Sequence, residues 1–93
     1  MIRVVIPSQL ESYTDHVREV ELALPATAQG LRLADVVAGL DAAYPGMAFR
    51  IVDEQQHIRR HIAIFVGEQM VRTLDAPVPD DARVQIVGAL SGG

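Results

Sequence analysis

The chain opens with apolar residues at every second position: Ile2, Val4 and Ile6 alternate with Arg3 and Val5. A period of two is that of a strand with one covered face. Pro7, which has no N–H to give a ladder, ends it. Positions 8–15 are polar and turn-like. A second alternation runs over 16–24, with Val20, Leu22 and Leu24 on one side, and stops at Pro25. Two strands joined by a short polar segment predict an antiparallel hairpin.

After a linker at 26–30 the period changes. Leu33, Val36, Val37, Leu40 and Tyr44 fall at i, i+3, i+4, i+7 and i+11, which is one stripe of an amphipathic helix. Pro45 and Gly46 stop it. Arg32 stands where serine, threonine or aspartate would cap best, while Asp35 suits the first turn. Phe49 and Val52 are spaced for a further helical turn, and Asp53 to Gln56 reads as an exposed loop. The clearest strand follows at 60–66, with Ile62, Ile64 and Val66 on one face and His61, Ala63 and Phe65 on the other. Gly67 and Glu68 supply a tight turn, and 69–72 is read as a short return strand. Positions 73–81 hold two prolines and three aspartates and are expected to be a surface loop. A last strand at 83–87 sets Val84 and Ile86 against Gln85 and Val87.

One helical stripe and several one-faced strands satisfy each other when the helix crosses a mixed sheet. The expected fold is therefore α+β: a β-grasp roll, with the first and last strands parallel at the centre and the helix as their crossover. Residues 1–88 are assigned to this domain and 89–93 to a flexible tail. At 93 residues the chain has room for one core. No internal repeat or low-complexity segment interrupts it.

Composition narrows the chemistry. There is no cysteine, so disulfides, thiolate metal clusters and thiol nucleophiles are excluded. The eight basic residues are all arginine, and the net charge of −4 argues against nucleic acid as a partner. The apolar runs fall far short of the ~20 residues that span a bilayer, and the first residues are too short and β-branched for a secretory signal. No membrane role is expected, and a cytoplasmic location is the default. His57 and His61 are four apart, but one lies in a loop and the other in a strand, so no metal site is assigned. The carboxylate pairs Asp53-Glu54 and Asp80-Asp81 read as solvated turns, and no glycine-rich loop joins a strand to a helix.

The end of the chain is the unusual feature. A strand gives way to Ala89-Leu90-Ser91-Gly92-Gly93. Five residues extend at most ~16–18 Å, enough to enter a partner's cleft. Diglycine carries no Cβ, so its backbone passes through a narrow channel and presents an unhindered carboxyl carbon. A second candidate surface lies opposite the expected core, where Val5, Ala63, Phe65 and Val87 share the outward face of their strands. Phe65 is its expected anchor, because large aromatics dominate interface energies.

The strand order, the segment Ile62-Ala-Ile-Phe-Val66 with its glycine turn, and the loop rich in aspartate and proline carry a resemblance over essentially the whole chain. So does the ending Val84-Gln-Ile-Val-Gly-Ala-Leu-Ser-Gly-Gly93. Together they resemble the ubiquitin-like sulfur carrier proteins of the MoaD/ThiS family. The length and the Arg59-Arg60-His61 lead into the fourth strand look most like the cysteine-biosynthesis (CysO-type) branch. The small subunit of molybdopterin synthase comes next. Arg32 departs from the family, in which threonine is frequent there; the departure concerns capping.

The resemblance implies a protein cosubstrate rather than an enzyme, with no bound cofactor. An E1-like adenylyltransferase would use ATP and Mg²⁺ to adenylate Gly93, and a sulfur donor would convert it to a thiocarboxylate. Leu90, Ser91 and Gly92 would supply reach and clearance. The partners expected are that activating enzyme and a sulfur-accepting synthase or large subunit. Two readings stand beside it: another sulfuration pathway, and a ubiquitin-like modifier that joins target lysines.

Overall fold

The computed structural model describes residues 1–25 and 27–88. In chain order the elements are β1 (Ile2–Val5), a 3-10 helix (Ser8–Thr14), β2 (Glu19–Leu22), β3 (Leu31–Arg32), α1 (Leu33–Ala43) and α2 (Met47–Ile51). Then come β4 (Ile62–Val66), β5 (Gln69–Val71), β6 (Pro77–Val78) and β7 (Arg83–Gly88). Five strands form one mixed sheet in the order β2-β1-β7-β4-β5. β1 and β7 run parallel at its centre, Val4 beside Val84, and every other pairing in this sheet is antiparallel. This is the β-grasp roll expected from the alternation, with α1 laid across the sheet.

The core follows the two periods. Val4, Ile64, Val84 and Ile86 from the sheet meet Leu33, Val36, Val37 and Leu40 from α1, all buried. Tyr44, the last member of the helical stripe, packs half-buried at its edge. Met47 and Ile51 of α2 are fully buried and close one end of the core. Val52 is buried as well and bridges Ile58, so the segment after α1 turns as a short helix and then a loop.

Three expectations change. Residues 8–15 are not a polar turn: they wind into the 3-10 helix, which buries Leu10 and Thr14. The Thr14 hydroxyl donates to the Val17 carbonyl at 2.7 Å, so a buried polar side chain is satisfied within its own loop. β2 is shorter than 16–24, since Asp15 and His16 both take positive φ and the chain becomes extended only afterwards. The 73–81 segment contains β6, which pairs with β3 and buries Val78.

That small β3–β6 sheet also explains Arg32. The backbone N–H groups of Leu33 and Ala34 donate to the carbonyls of Ala76 and Leu74, both at 2.9 Å. The side chain of Asp35 accepts from the Arg32 N–H at 2.9 Å. Three N–H groups at the helix start are thus met by a neighbouring loop and an acidic side chain, and no capping hydroxyl is needed at Arg32.

Candidate functional site

The inner face of the sheet is covered by α1, and among the described residues no helix or strand lies on the outer face. Strand register sets what this outer face displays. Glu19, Val5, Gln85, Phe65 and Met70 are direct cross-strand neighbours, one from each strand, and make a row across all five. The adjoining row places Val87 beside Ala63. Thus Val5, Phe65, Ala63 and Val87 share one face, as their parity in the sequence requires. Val5, Ala63 and Phe65 are half-buried by their neighbours, and Val87 is 36% exposed.

Met70 completes this patch at 45% exposure and was not among the residues expected there. The signal for it was present. Gly67, at φ +62°, takes the first position of a two-residue loop, a conformation that glycine adopts without a Cβ penalty. A two-residue loop pairs Val66 with Gln69 and therefore Phe65 with Met70. The other edge of the patch is polar, where the Arg3 guanidinium lies 3.8 Å from Glu19.

The patch lies beside the exit of the central strand. β7 is held on one side by β1 up to the Val5–Gln85 pair and on the other by β4 up to the Ile62–Gly88 pair. Beyond Gln85 the place of β1 is taken by a side chain: Gln9 of the 3-10 helix donates its Nε2 proton to the Gly88 carbonyl at 3.3 Å. A Cβ on Gly88 would come within 2.8 Å of Gln9 Oε1, so a larger residue there would make the end of the Gln9 side chain shift. A shallow groove of about 270 Å³ between Pro7, Gln9, Gln85 and Val87 adjoins this exit. Leu90, Ser91, Gly92 and Gly93 lie outside the described residues.

Two carboxylates away from the patch, Asp81 and Asp53, have structural partners. The N-terminal ammonium of Met1 lies 2.7 Å from Asp81 and holds its carboxyl below the usual carboxylate range. Asp53 is lowered chiefly by the His57 N–H, with the Gln55 N–H adding to it; one carboxylate oxygen accepts both at 2.9 Å. This is a loop closed on itself. Among the described residues no three metal-ligating side chains converge, and His57 and His61 are both exposed. A larger groove, of about 430 Å³, separates α1 from α2 on the helical side of the molecule. Its Asp41 is already occupied by the Gly46 and Ala48 N–H groups. No helix among the described residues is long and apolar enough to cross a membrane.

Comparison with solved structures bears on this arrangement. A chain of the Amycolatopsis orientalis BexX/CysO complex matches over 100% of both chains, with a TM-score of 0.86 and 26% identity. Mycobacterium tuberculosis CysO matches over 97% of this chain and 100% of its own, with a TM-score of 0.84 and 26% identity. The chain has the ubiquitin-like β-grasp fold and is similar to CysO over its whole length. SAMP1 from Haloferax volcanii shares that fold at a TM-score of 0.81 and 15% identity, over 99% of this chain and 98% of its own. No protein-family model and no curated protein matches the chain by sequence. One of these similar proteins, the Amycolatopsis orientalis CysO, is seen in complex with a second protein, BexX.

Proposed function

We propose that this protein is a sulfur carrier whose reactive group is the carboxylate of Gly93. The observation that carries the reading is the full-length likeness to two CysO structures. The central strand running towards Gly92-Gly93 beside an uncovered apolar patch supports it. A carboxylate is a poor electrophile. An E1-like adenylyltransferase, using ATP together with Mg²⁺, would direct the Gly93 carboxylate oxygen onto the α-phosphorus and release pyrophosphate. A sulfide donor then attacks the acyl carbon and expels AMP, leaving a thiocarboxylate. The sulfur rides on the backbone, so the absence of cysteine is no obstacle.

The body does two things in this scheme. It aims the tail, through β7 fixed between β1, β4 and Gln9, and it docks, through Phe65, Met70, Val5, Ala63 and Val87. Delivery of sulfur for cysteine-type synthesis, through a sulfur-accepting synthase, is the pathway the CysO likeness favours. Dependence on ATP places the work in the cytoplasm. The experiment is an intact-mass measurement after incubation with the activating enzyme from the same organism, ATP, Mg²⁺ and sulfide. Replacement of one oxygen by sulfur at Gly93 is expected. An unchanged mass, with biological activity surviving deletion of Gly93, would overturn the reading.

A further inference from the structure

At the end of β4 and β5 nearest the exit of β7 lies a groove of about 350 Å³. Its floor is apolar, with Ile62, Ala63 and Met70, and Arg59, Arg60 and Arg72 line it. Three of the eight arginines thus border one groove on a protein whose net charge is −4. They are held differently. Arg59 donates its Nε proton to the Phe49 carbonyl at 2.7 Å and lies 4.7 Å from the centre of the Phe49 ring. Arg60 and Arg72 are exposed and make no side-chain hydrogen bond or ion pair among the described residues.

Position adds to this. Continuing the β4–β5 register by one step sets Arg72 across from Ala63, whose other neighbour is Val87 on β7. The arginine rim is therefore continuous with the apolar patch, and Ile62 in its floor is the partner of Gly88. Guanidinium groups bind carboxylates through paired N–H donors, and long stems flank apolar floors without losing solvation of the head. A lone phosphate would leave the apolar floor unused, and a nucleic acid would meet an acidic molecule around a narrow basic spot.

We propose that this groove receives an acidic segment of the protein that docks on the outer sheet face. The segment's carboxylates would meet Arg60 and Arg72, and an apolar side chain would meet Ala63 and Met70. Such docking rests on the carrier reading and deepens it by giving the partner a chemistry. Arg60 and Arg72 then fix the orientation in which the tail is offered.

The test is a titration of the full-length, ¹⁵N-labelled protein with an acetylated, amidated Glu-Glu-Leu-Glu-Glu peptide, followed by NMR. Shifts confined to the amides of Arg60, Ala63, Met70 and Arg72 are expected, weakening as salt is raised. The double reversal Arg60→Glu/Arg72→Glu should weaken binding by about tenfold or more. Arg18→Glu, on the 3-10 helix side, should leave binding unchanged. Both reversed residues are exposed, so a thermal melt matching that of the wild type confirms that the double variant is folded. Shifts spread evenly over the arginines, or binding untouched by the double reversal, would overturn the inference. So would a short single-stranded oligonucleotide that shifts the same amides more strongly than the peptide. The titration needs no sulfur chemistry. A protein that binds the peptide but gains no sulfur would remove the carrier reading and leave this surface standing.

Discussion

Neighbouring residues on the central strands lead two different lives. Val4, Ile64 and Ile86 point into the core and are 0%, 1% and 3% exposed. Val5, Phe65 and Val87, each one position later, lie on the uncovered side and keep part of their surface in water. Both sets are apolar, and both are presented by the same hydrogen-bond ladders. What separates them is helix α1, which lies across one face of the sheet, whereas no element among the described residues covers the other. Apolar residues under the helix hold the molecule together; those on the bare face contribute little to folding and are available to a second protein.

The sharpest way to break that contrast is a pair of substitutions one residue apart. Ile64→Ala removes buried methyl groups from the centre of the core and should cost about 2–4 kcal/mol. For a domain of this size that lowers Tm by roughly 10–25 °C. Phe65→Ala should cost about 1 kcal/mol or less in stability, because no element among the described residues packs over its face of the sheet. Its effect should appear in the affinity for the activating partner, weakened roughly 30-fold or more if Phe65 anchors the contact. Thermal melts and binding isotherms on the two variants check this. Equal losses of Tm would show that the outer face is structural.

Met70→Glu refines the boundary of the patch. The side chain is 45% exposed, so the stability change should lie within about 0.5 kcal/mol. A buried carboxylate at the contact should still lower partner affinity by about tenfold. An affinity equal to that of the wild type would end the patch at Phe65.

How much of this contrast the sequence showed depends on the range of the forces involved. The α1 stripe and the alternation of β1, β4 and β7 were legible because each is written in consecutive residues with a fixed period. Parity alone put Val5, Ala63, Phe65 and Val87 on a common face. Met70 required the loop length as well, since register passes through Gly67 and Glu68 to its neighbour. The 3-10 helix was hidden because its only buried residues, Leu10 and Thr14, include a polar one whose partner is a carbonyl three residues on. β3 and β6 are two residues each, too short for a pattern, and exist through pairing across a long loop. Arg32 looked like a poor cap because the groups that meet the helix start come from Leu74 and Ala76, some forty residues away in sequence. The tail was read from its composition, and the arginine groove was not foreseen because Arg59-Arg60 and Arg72 meet only in the folded sheet.

Helix capping tests the covered side at lower amplitude. Asp35→Ala removes the acceptor of the Arg32 N–H and a favourable charge in the first turn, and should cost about 1 kcal/mol. Arg32→Ala should change stability by less than about 0.5 kcal/mol, because the backbone carbonyls of Leu74 and Ala76 remain in place. Chemical denaturation separates the two. A larger loss at Arg32 would mean that its Nη1 contact with the Asp75 carbonyl, at 3.4 Å, holds the β6 loop against the helix.

The smallest effect concerns the end of the sheet away from the exit of β7. There the Met1 ammonium meets Asp81, just before β7, and ties the beginnings of the two parallel central strands. The ammonium lowers the Asp81 pKa in the folded protein, so folding favours the ionised carboxylate. The resulting stability is present above the unfolded value, near 3.9, and is lost as pH falls through the lowered folded value. Asp81→Asn should therefore be slightly less stable than the wild type at neutral pH. The gap should close on acidification below about pH 4, and added salt should narrow it at every pH, because the pair is exposed. Melts of both proteins across that range read the effect directly. Affinity for the docking partner should not move, since the pair lies at the opposite end of β7 from Gly88. A gap that persists at low pH would assign the contribution of Asp81 to its positive-φ turn, at φ 61°, instead of to its charge.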